Sequence, residues 1–416
     1  MTTESATALE ALRAALAPGS ERDASLYAID ETTPAAAFEP ATREDLGALL
    51  RLADEQGLAV VPQGGRTALA LGRPLAASDV ALDLGGLRRT VEYVPDDLTV
   101  TVEAGRRLGA LQAELAEHRQ YLPIDPPPGD DVTIGGLLAT ARPGAWRGYV
   151  PAARDLILGM EVVLPSGERV RSGGRVVKNV TGYDMHRMHT GALGAFGVIV
   201  EASFKVAPLP EATRTLAAST PNLAAAAALA ARLWDASPAL RALSVLTPRA
   251  AALAGLTEAP AVLLELAGTE RTVGRSTADL RAVTPLTETP SDSWRVLRAA
   301  HGDATSTVLR AGVPPTAVRA VLEVVERTEA TAWAHYAAGA VVATYSDPES
   351  VPTAAEITTM RTEAERLGGF LLIESASAAL RHEVPASPGD AVLVEALRDR
   401  FDPSRTINRG RWGAIL

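Results

Sequence analysis

The sequence predicts an α+β fold of more than one domain, and three observations carry that prediction. In the first half, short apolar strands run straight into glycine turns, as where residues 58–61 meet Pro62-Gln63-Gly64-Gly65-Arg66-Thr67. In the second half a β-α-β order with short strands recurs, which suits a ferredoxin-like layer of helices on a sheet. The chain has 416 residues, enough for two or three domains with their own cores.

The elements follow in order. Residues 1–16 read as an amphipathic helix. They lack a basic leading region and an apolar run, so they are not read as a signal peptide. Residues 42–57 form a helix. Thr42 caps it, Asp45 completes a box-like start, Leu46, Leu49, Leu50 and Ala53 share one face, and Gly57 stops it. Residues 98–103 alternate apolar and polar like a half-buried strand. Residues 107–118 carry Leu108, Leu111 and Leu115 on one helical face. Strands are expected at 156–164 and 198–206, the second ended by Pro208 and Pro210. That proline pair marks a boundary, giving domains 1–210 and 211–400 and a C-terminal segment 401–416. Beyond it, Thr220-Pro221 is a helix cap with a first-turn proline, opening a helix to about residue 235. Strands are expected near 243–246, 261–266, 305–309, 331–336, 340–345 and 370–374, with helices at 314–327 and 353–367.

Composition narrows the chemistry. The net charge is -10, which is poorly suited to a phosphate backbone, so nucleic acid is not expected as a partner. There are no cysteines, which removes disulfides, thiol nucleophiles and cysteine-ligated iron–sulfur clusters from this chain. No run of about 18 uncharged apolar residues occurs, so no transmembrane segment is expected. A cytoplasmic location is expected, peripheral to the membrane at most through partners.

Glycine supplies the main functional signal. It gathers at Gly64-Gly65 with Gly72, from Gly129 to Gly135-Gly136, from Gly173-Gly174 to Gly182, and at Gly191, Gly194 and Gly197. Glycine lets backbone approach a ligand closely, and successive N–H groups in such turns form anion-binding nests. Each cluster alone is more simply a tight turn; four within one half point to a multiply charged ligand. A Rossmann site is not expected, because no G-x-G-x-x-G lies between a strand and a helix.

The loop Pro62-Gln63-Gly64-Gly65-Arg66-Thr67 resembles the first pyrophosphate loop of the vanillyl-alcohol-oxidase (PCMH-type) flavoproteins. Asp125-Pro126-Pro127-Pro128, followed by Thr133-Ile134-Gly135-Gly136, resembles their second flavin loop. Arg154-Asp155-Leu156-Ile157-Leu158-Gly159 resembles the strand that follows. The run from Gly173 through Lys178 and Gly182-Tyr183-Asp184 to Gly194 is similar to the FAD-binding E subunits of glycolate oxidases. The ending Phe401-Asp402-Pro403, then Asn408-Arg409-Gly410-Arg411, resembles the family's C-terminal return to the flavin.

This resemblance implies a two-subdomain PCMH-type FAD-binding domain, an α+β cap and a tail that returns to the flavin. Gly64, Gly65, Arg66 and Thr67 would wrap the pyrophosphate, with Pro62, Gln63 and Gly72 in the same loop. Thr133, Ile134, Gly135 and Gly136 would line its other side and the ribityl chain. Gly197, Val198 and Ile199 would lie towards the adenine, and Asn408 would approach the isoalloxazine. Lys178 and Tyr183 would either lie near the flavin or brace the loop. Arg409 and Arg411 would either balance flavin or substrate charge or serve only the surface.

Two departures from the family matter. Arg66-Thr67 stands where covalent members carry a histidine, so FAD is expected to be noncovalent. The histidine-rich metal segment of the hydroxy-acid dehydrogenases is reduced here to Ala334-His335-Tyr336, so no metal is expected. His118 reads as solvated, and His186 and His189 as loop packing. His301 and His382 show no partner beyond their neighbours Asp303 and Glu383, and Arg214, Arg232 and Arg241 read as surface charges.

The expected function is an FAD-binding subunit of a glycolate oxidase-like dehydrogenase acting on a small 2-hydroxy acid. Its expected partners are a second flavin subunit and an iron–sulfur subunit. The alternatives are a non-catalytic assembly subunit and a stand-alone alcohol or sugar oxidase.

Overall fold

A computed structural model describes residues 3–175, 183–237, 239–385 and 391–411. Lys178 and Gly182, singled out above, lie outside the described residues.

The first half holds two sheets. One is four-stranded, in the order Glu21–Arg22, Ala36–Phe38, Val80–Asp83, Val60–Gln63, with its last three strands parallel. The helix Arg43–Glu55 covers it. Thr42 Oγ1 accepts from the Asp45 N–H at 3.1 Å, which satisfies one free donor of the first turn, and Leu46, Leu49, Leu50 and Ala53 are buried. The second sheet is antiparallel and five-stranded: Thr90–Val94, Thr99–Glu103, Val198–Lys205, Ile157–Val163, Arg169–Gly173.

The strand Thr99–Glu103 departs from its half-buried expectation, since all five residues are buried. Val100 and Val102 enter the apolar core beneath the sheet. The polar side is covered by ionic and hydrogen-bonded partners: Thr101 Oγ1 lies 2.8 Å from Ser203 Oγ, and Glu103 meets Arg89 at 2.9 Å and Arg43 at 3.5 Å. Alternation reported two chemistries correctly, but water covers neither face.

The second half is one antiparallel sheet of eight strands. Its order resolves into two copies of one pattern. Ala212–Ser219, Leu240–Leu246, Ala261–Gly268 and Thr287–Glu288 are arranged fourth–first–third–second. Thr307–Gly312, Thr331–His335, Ala340–Tyr345 and Phe370–Ser375 repeat that arrangement. This is the split β-α-β order of a ferredoxin-like unit. The units join along their second strands, where Ser244 faces His335 and Leu246 faces Trp333. Helices Leu223–Ala236, Glu270–Val283, Val318–Glu326 and Ala354–Arg366 contribute to one continuous apolar core with the sheet.

The helix Leu223–Ala236 is capped by Asn222 Oδ1, which accepts from the Ala225 N–H at 2.8 Å. Thr220, the expected cap, instead donates to Pro260 O at 3.0 Å, so its hydroxyl is spent on a neighbouring turn. The helices Glu270–Val283 and Asp292–His301 were not anticipated. Both are mostly polar, with one buried residue or so per turn.

The C-terminal segment lies back along the first half. Val60 N–H donates to Thr406 O at 2.8 Å and Asn408 N–H to Val60 O at 3.0 Å, which places the tail beside the strand that ends in the first glycine loop. Among the described residues, no helix is long and apolar enough to cross a membrane.

Candidate functional site

The parallel strand Val60–Gln63 delivers the chain into Gly64-Gly65 at the sheet's end, where open α/β sheets place ligands. The opposing loop is built by Thr133, which caps the helix Ile134–Thr140. Its Oγ1 accepts from the Gly136 N–H and the Gly65 N–H, each at 3.3 Å, so one hydroxyl ties both loops together. The fit leaves no room for a side chain: a Cβ on Gly64 would lie 2.3 Å from Thr133 Oγ1, and one on Gly65 2.6 Å from Asp131 O. Arg66 adopts φ +58° and lays its guanidinium 4.7 Å from the Tyr27 ring centre.

A cavity opens between these loops. Pro62, Gln63, Gly64, Gly65, Arg66, Thr67, Thr133, Gly136 and Asn408 line it, with Leu193 and Arg411. A second opening shares Gly64, Gly65, Arg66 and Thr133 and adds Arg88, Arg106 and Arg107. Among the described residues, the N–H groups of Gly64, Arg66 and Thr67 make no hydrogen bond. Free N–H groups in a glycine turn amid arginines suit a diphosphate.

The other predicted residues are placed differently. Ile134 and Gly135 spend their N–H groups on Arg106 O at 2.9 Å and Ala104 O at 2.7 Å, fastening the loop to the antiparallel sheet. Gly197 lets two strands approach, since a Cβ there would lie 2.6 Å from Val162 Cγ1. Val198 and Ile199 belong to buried core, and Gly72 accepts from Arg381 at 3.1 Å; none of these six lines either opening. Tyr183 is 90 % exposed.

Asn408 binds the tail to the fourth glycine region, donating from Nδ2 to Leu193 O at 2.6 Å. Arg411 is buried in the cavity wall, where it donates to Leu71 O at 2.8 Å and to Leu69 O. Burial lowers its pKa to about 10, so it remains a cation at neutral pH. Arg409 instead donates to Arg405 O at 2.9 Å, a bond within its own turn. We expect Thr133→Ala to cost about 1 kcal/mol through the lost cap, and to loosen the glycine loop with it. Thermal melting and FAD titration check the two effects separately.

A separate cavity of ≈ 260 Å³ lies where the halves meet. Asp125 and Trp146 line it from the first half, and Glu265, Arg298, His301, Trp333 and His335 from the second. Asp125 accepts from the Trp146 N–H at 3.2 Å, and burial pushes its pKa up to about 7 against the opposing pull of Arg298. The folded chain therefore holds a proton on Asp125 up to about pH 7, whereas the unfolded chain releases it near ~4. Stability attributable to this group falls as pH rises through that window. Asp125→Asn should flatten that slope, measured by urea unfolding at pH 5 and pH 8.

Two charges read as peripheral or isolated turn out otherwise. Arg241, expected at the surface, pairs with Glu265 on the neighbouring strand at 2.6 Å and stacks 4.4 Å from the Trp146 ring centre. His301, expected without a partner, lies 2.9 Å from buried Glu374, 73 residues away in sequence. Arg142 reaches the same carboxylate at 2.7 Å, and Arg310 binds its other oxygen. Burial opposes the charge on Glu374, but these cations outweigh it and hold its pKa well below the usual carboxylate range. Burial lowers the pKa of His301, which is therefore neutral and donates through Nε2.

His335 does not approach a metal-binding group. Ser244 Oγ lies 2.9 Å from its Nδ1, and Trp333 donates to its Nε2 at 3.4 Å. Burial takes its pKa down to about 3. Among the described residues, no group of three or more histidine and acidic residues could hold a metal.

Comparison with known proteins agrees with this geometry. The family described as FAD binding domain matches residues 34–173, which contain both loops that share Thr133. Residues 34–173 are an FAD-binding domain. FAD is the cofactor of this domain, and the side-chain-free approach at Gly64 and Gly65 fits its diphosphate. The glycolate oxidase subunit GlcE of Escherichia coli (strain K12) is 37% identical over 158 residues, 38% of this chain and 45% of that protein. The D-2-hydroxyglutarate dehydrogenase of Xanthomonas citri pv. viticola is 32% identical over 189 residues, 45% of this chain and 40% of that protein. The chain spans less than half the length of these curated relatives in the matches. Among solved structures, p-cresol methylhydroxylase with substrate bound superposes with a TM-score of 0.76 at 15% identity, covering 99% of this chain and 97% of that one. That likeness shows the fold, and the fold alone, over nearly the whole chain.

Proposed function

We propose that the chain is the noncovalent FAD-binding subunit of a dehydrogenase acting on a small 2-hydroxy acid, within a complex that includes a second flavin subunit and an iron–sulfur subunit. The observation that carries it is the cavity shared by the two glycine loops and the C-terminal tail, together with the likeness of the region to a glycolate oxidase subunit. When bound, FAD would supply hydride acceptance. Gly64, Arg66 and Thr67 would donate backbone N–H groups to the diphosphate, Arg411 and Arg88 would offset its charge, and Asn408 would hold the tail against it. Neither opening is lined by histidine, cysteine or tyrosine, which favours noncovalent attachment.

The purified chain should show flavin absorbance that is released by denaturation. Anaerobic mixing with glycolate or D-lactate should bleach it, with the partners present if not alone. No flavin absorbance even after adding FAD would sink the proposal. A second reading, a subunit that binds FAD without oxidising substrate itself, is favoured by His335, whose two ring nitrogens are both engaged within the sheet. Bleaching by substrate in the isolated chain would exclude that reading.

A further inference from the structure

The antiparallel five-stranded sheet carries three glutamates in a row. Glu201 stands opposite Glu103 on one neighbouring strand and opposite Glu161 on the other, and all three are buried. Like charges side by side on a sheet destabilise it, so each carboxylate needs a cation. Arg89 meets Glu103 at 2.9 Å, Arg169 meets Glu161 at 2.6 Å, and Arg171 reaches Glu161 at 2.5 Å and Glu201 at 3.3 Å. Arg169 and Arg171 belong to the sheet itself, and Arg89 precedes its first strand. Arg43 differs in origin and in depth. It opens the helix Arg43–Glu55, which covers the parallel sheet, and its side chain is only 12% exposed. Its guanidinium lies 2.6 Å from Glu201, 3.1 Å from Glu161 and 3.5 Å from Glu103. One side chain from one layer thus spans three anions of the other. Burial works against the charges on Glu103 and Glu161, yet the arginines outweigh it and hold both below the ordinary carboxylate range.

Both ends of this contact lead to the cavity between the glycine loops. On the helix side, Leu46, Leu49 and Leu50 share a core with Val60, which starts the strand that runs into Gly64-Gly65. On the sheet side, Glu103 precedes Ala104, whose carbonyl accepts from the Gly135 N–H at 2.7 Å and whose N–H donates to Val200 O at 2.9 Å. Gly135 belongs to the loop of Thr133, whose Oγ1 accepts from the Gly65 N–H. Apolar packing also joins the layers, through Val163, Val198 and Val200. That packing is non-directional, whereas a planar guanidinium held by three fixed acceptors sets an angle. One turn along the helix the fit is backbone to backbone: a Cβ on Gly47 would lie 3.0 Å from Gly167 O.

We propose that Arg43 is a positioning residue for FAD: by clamping the helix over the parallel sheet to Glu103, Glu161 and Glu201, it sets the gap between the two glycine loops that receive the diphosphate. This role rests on the reading above, in which FAD sits between those loops. Arg43 lines neither opening, so its effect on the cofactor passes through the angle between the layers. Arg169 also bridges Glu161 to Glu44 on the same helix, but that pair is solvent-exposed at Glu44 and contributes little. Without Arg43 each carboxylate keeps another arginine within 4 Å. The layers should therefore stay folded while their angle relaxes.

The test is release of FAD from the loaded full chain on dilution, followed by flavin fluorescence. Arg43→Gln should release FAD about tenfold faster or more, equivalent to losing one charge-assisted contact to the diphosphate. Arg43→Lys keeps the charge but lacks the planar fork, and should fall between that variant and the wild type. Arg171→Gln removes a cation from the same carboxylates without unlinking the layers, so it should release FAD at the wild-type rate. Hydrogen exchange over residues 60–70 and 130–140 should rise in Arg43→Gln and not in Arg171→Gln. Wild-type release from Arg43→Gln, or equally fast release from Arg171→Gln, overturns the clamp. If Arg43→Gln does not fold, Arg43→Lys carries the test; unfolding of both would make Arg43 a general stabiliser and overturn the proposal as well. A wild-type chain that holds no FAD defeats the proposed function, while hydrogen exchange at the two loops still decides whether Arg43 sets them.

Discussion

Gly65→Val is expected to abolish FAD binding. A Cβ at this position would lie 2.6 Å from the carbonyl oxygen of Asp131 and 3.4 Å from the Thr133 nitrogen. These are backbone atoms of the opposing loop, so no side-chain rotation relieves the contact. The two branches of valine would then project into the space between the loops, where the proposed site would present the N–H groups of Gly64, Arg66 and Thr67 to the diphosphate. Overpacking of this kind costs about 1–3 kcal/mol before any ligand contact is lost, so affinity should fall by about a hundredfold or more. The measurement is flavin absorbance relative to protein after purification and after FAD is added back. Thermal melting of the FAD-free variant separates a closed site from an unfolded one. Full flavin content would move the phosphate site away from this loop.

The second large effect is expected from Glu374→Ala. The carboxylate has no exposed surface and is the common partner of Arg142, Arg310 and His301. Removing it leaves two guanidinium groups buried without their anion, and breaking a buried pair in this way costs about 3–5 kcal/mol. Arg142 belongs to the FAD-binding half and Glu374 to the eight-stranded sheet, so the loss falls on the junction between them. Urea unfolding should show a destabilised protein, and limited proteolysis should show earlier cleavage between the halves. An unchanged midpoint would mean that the cluster contributes nothing net. The pH dependence has a definite sign. The folded-state pKa of Glu374 is depressed, so its contribution is present above the ordinary carboxylate pKa and is lost as pH falls through the folded value. Glu374→Ala should therefore flatten the acid limb of the stability curve.

These two residues differ in how far the sequence announces them. Gly65 sits in a strand–glycine turn whose meaning is local: the apolar run, the glycine pair and the residues after it are adjacent in the chain. The same is true of Thr42 as a cap, of the Gly64–Thr67 loop and of the glycine pair after Thr133. Glu374 carries no such signal. A single acid at the end of an apolar strand reads as an edge residue, and only the sheet order brings it to His301, Arg310 and Arg142. Arg241 departs from its surface expectation for the same reason, since its partner Glu265 lies on the neighbouring strand.

What the sequence by itself determined is therefore the local chemistry: the α+β pattern, the loops able to approach a diphosphate, and the absence of cysteine. Tertiary structure decided which of those loops' N–H groups remain free. Ile134 and Gly135 lose theirs to carbonyls of the turn that follows the strand Thr99–Glu103, whereas Gly64, Arg66 and Thr67 keep theirs. It also decided that Arg411 enters the cavity while Arg409 donates to Arg405 O and to Gly57 O. Backbone propensity and glycine geometry act over a few residues and can be read in order. Hydrogen bonds and ion pairs across sheets depend on strand order, which adjacency in the chain does not record.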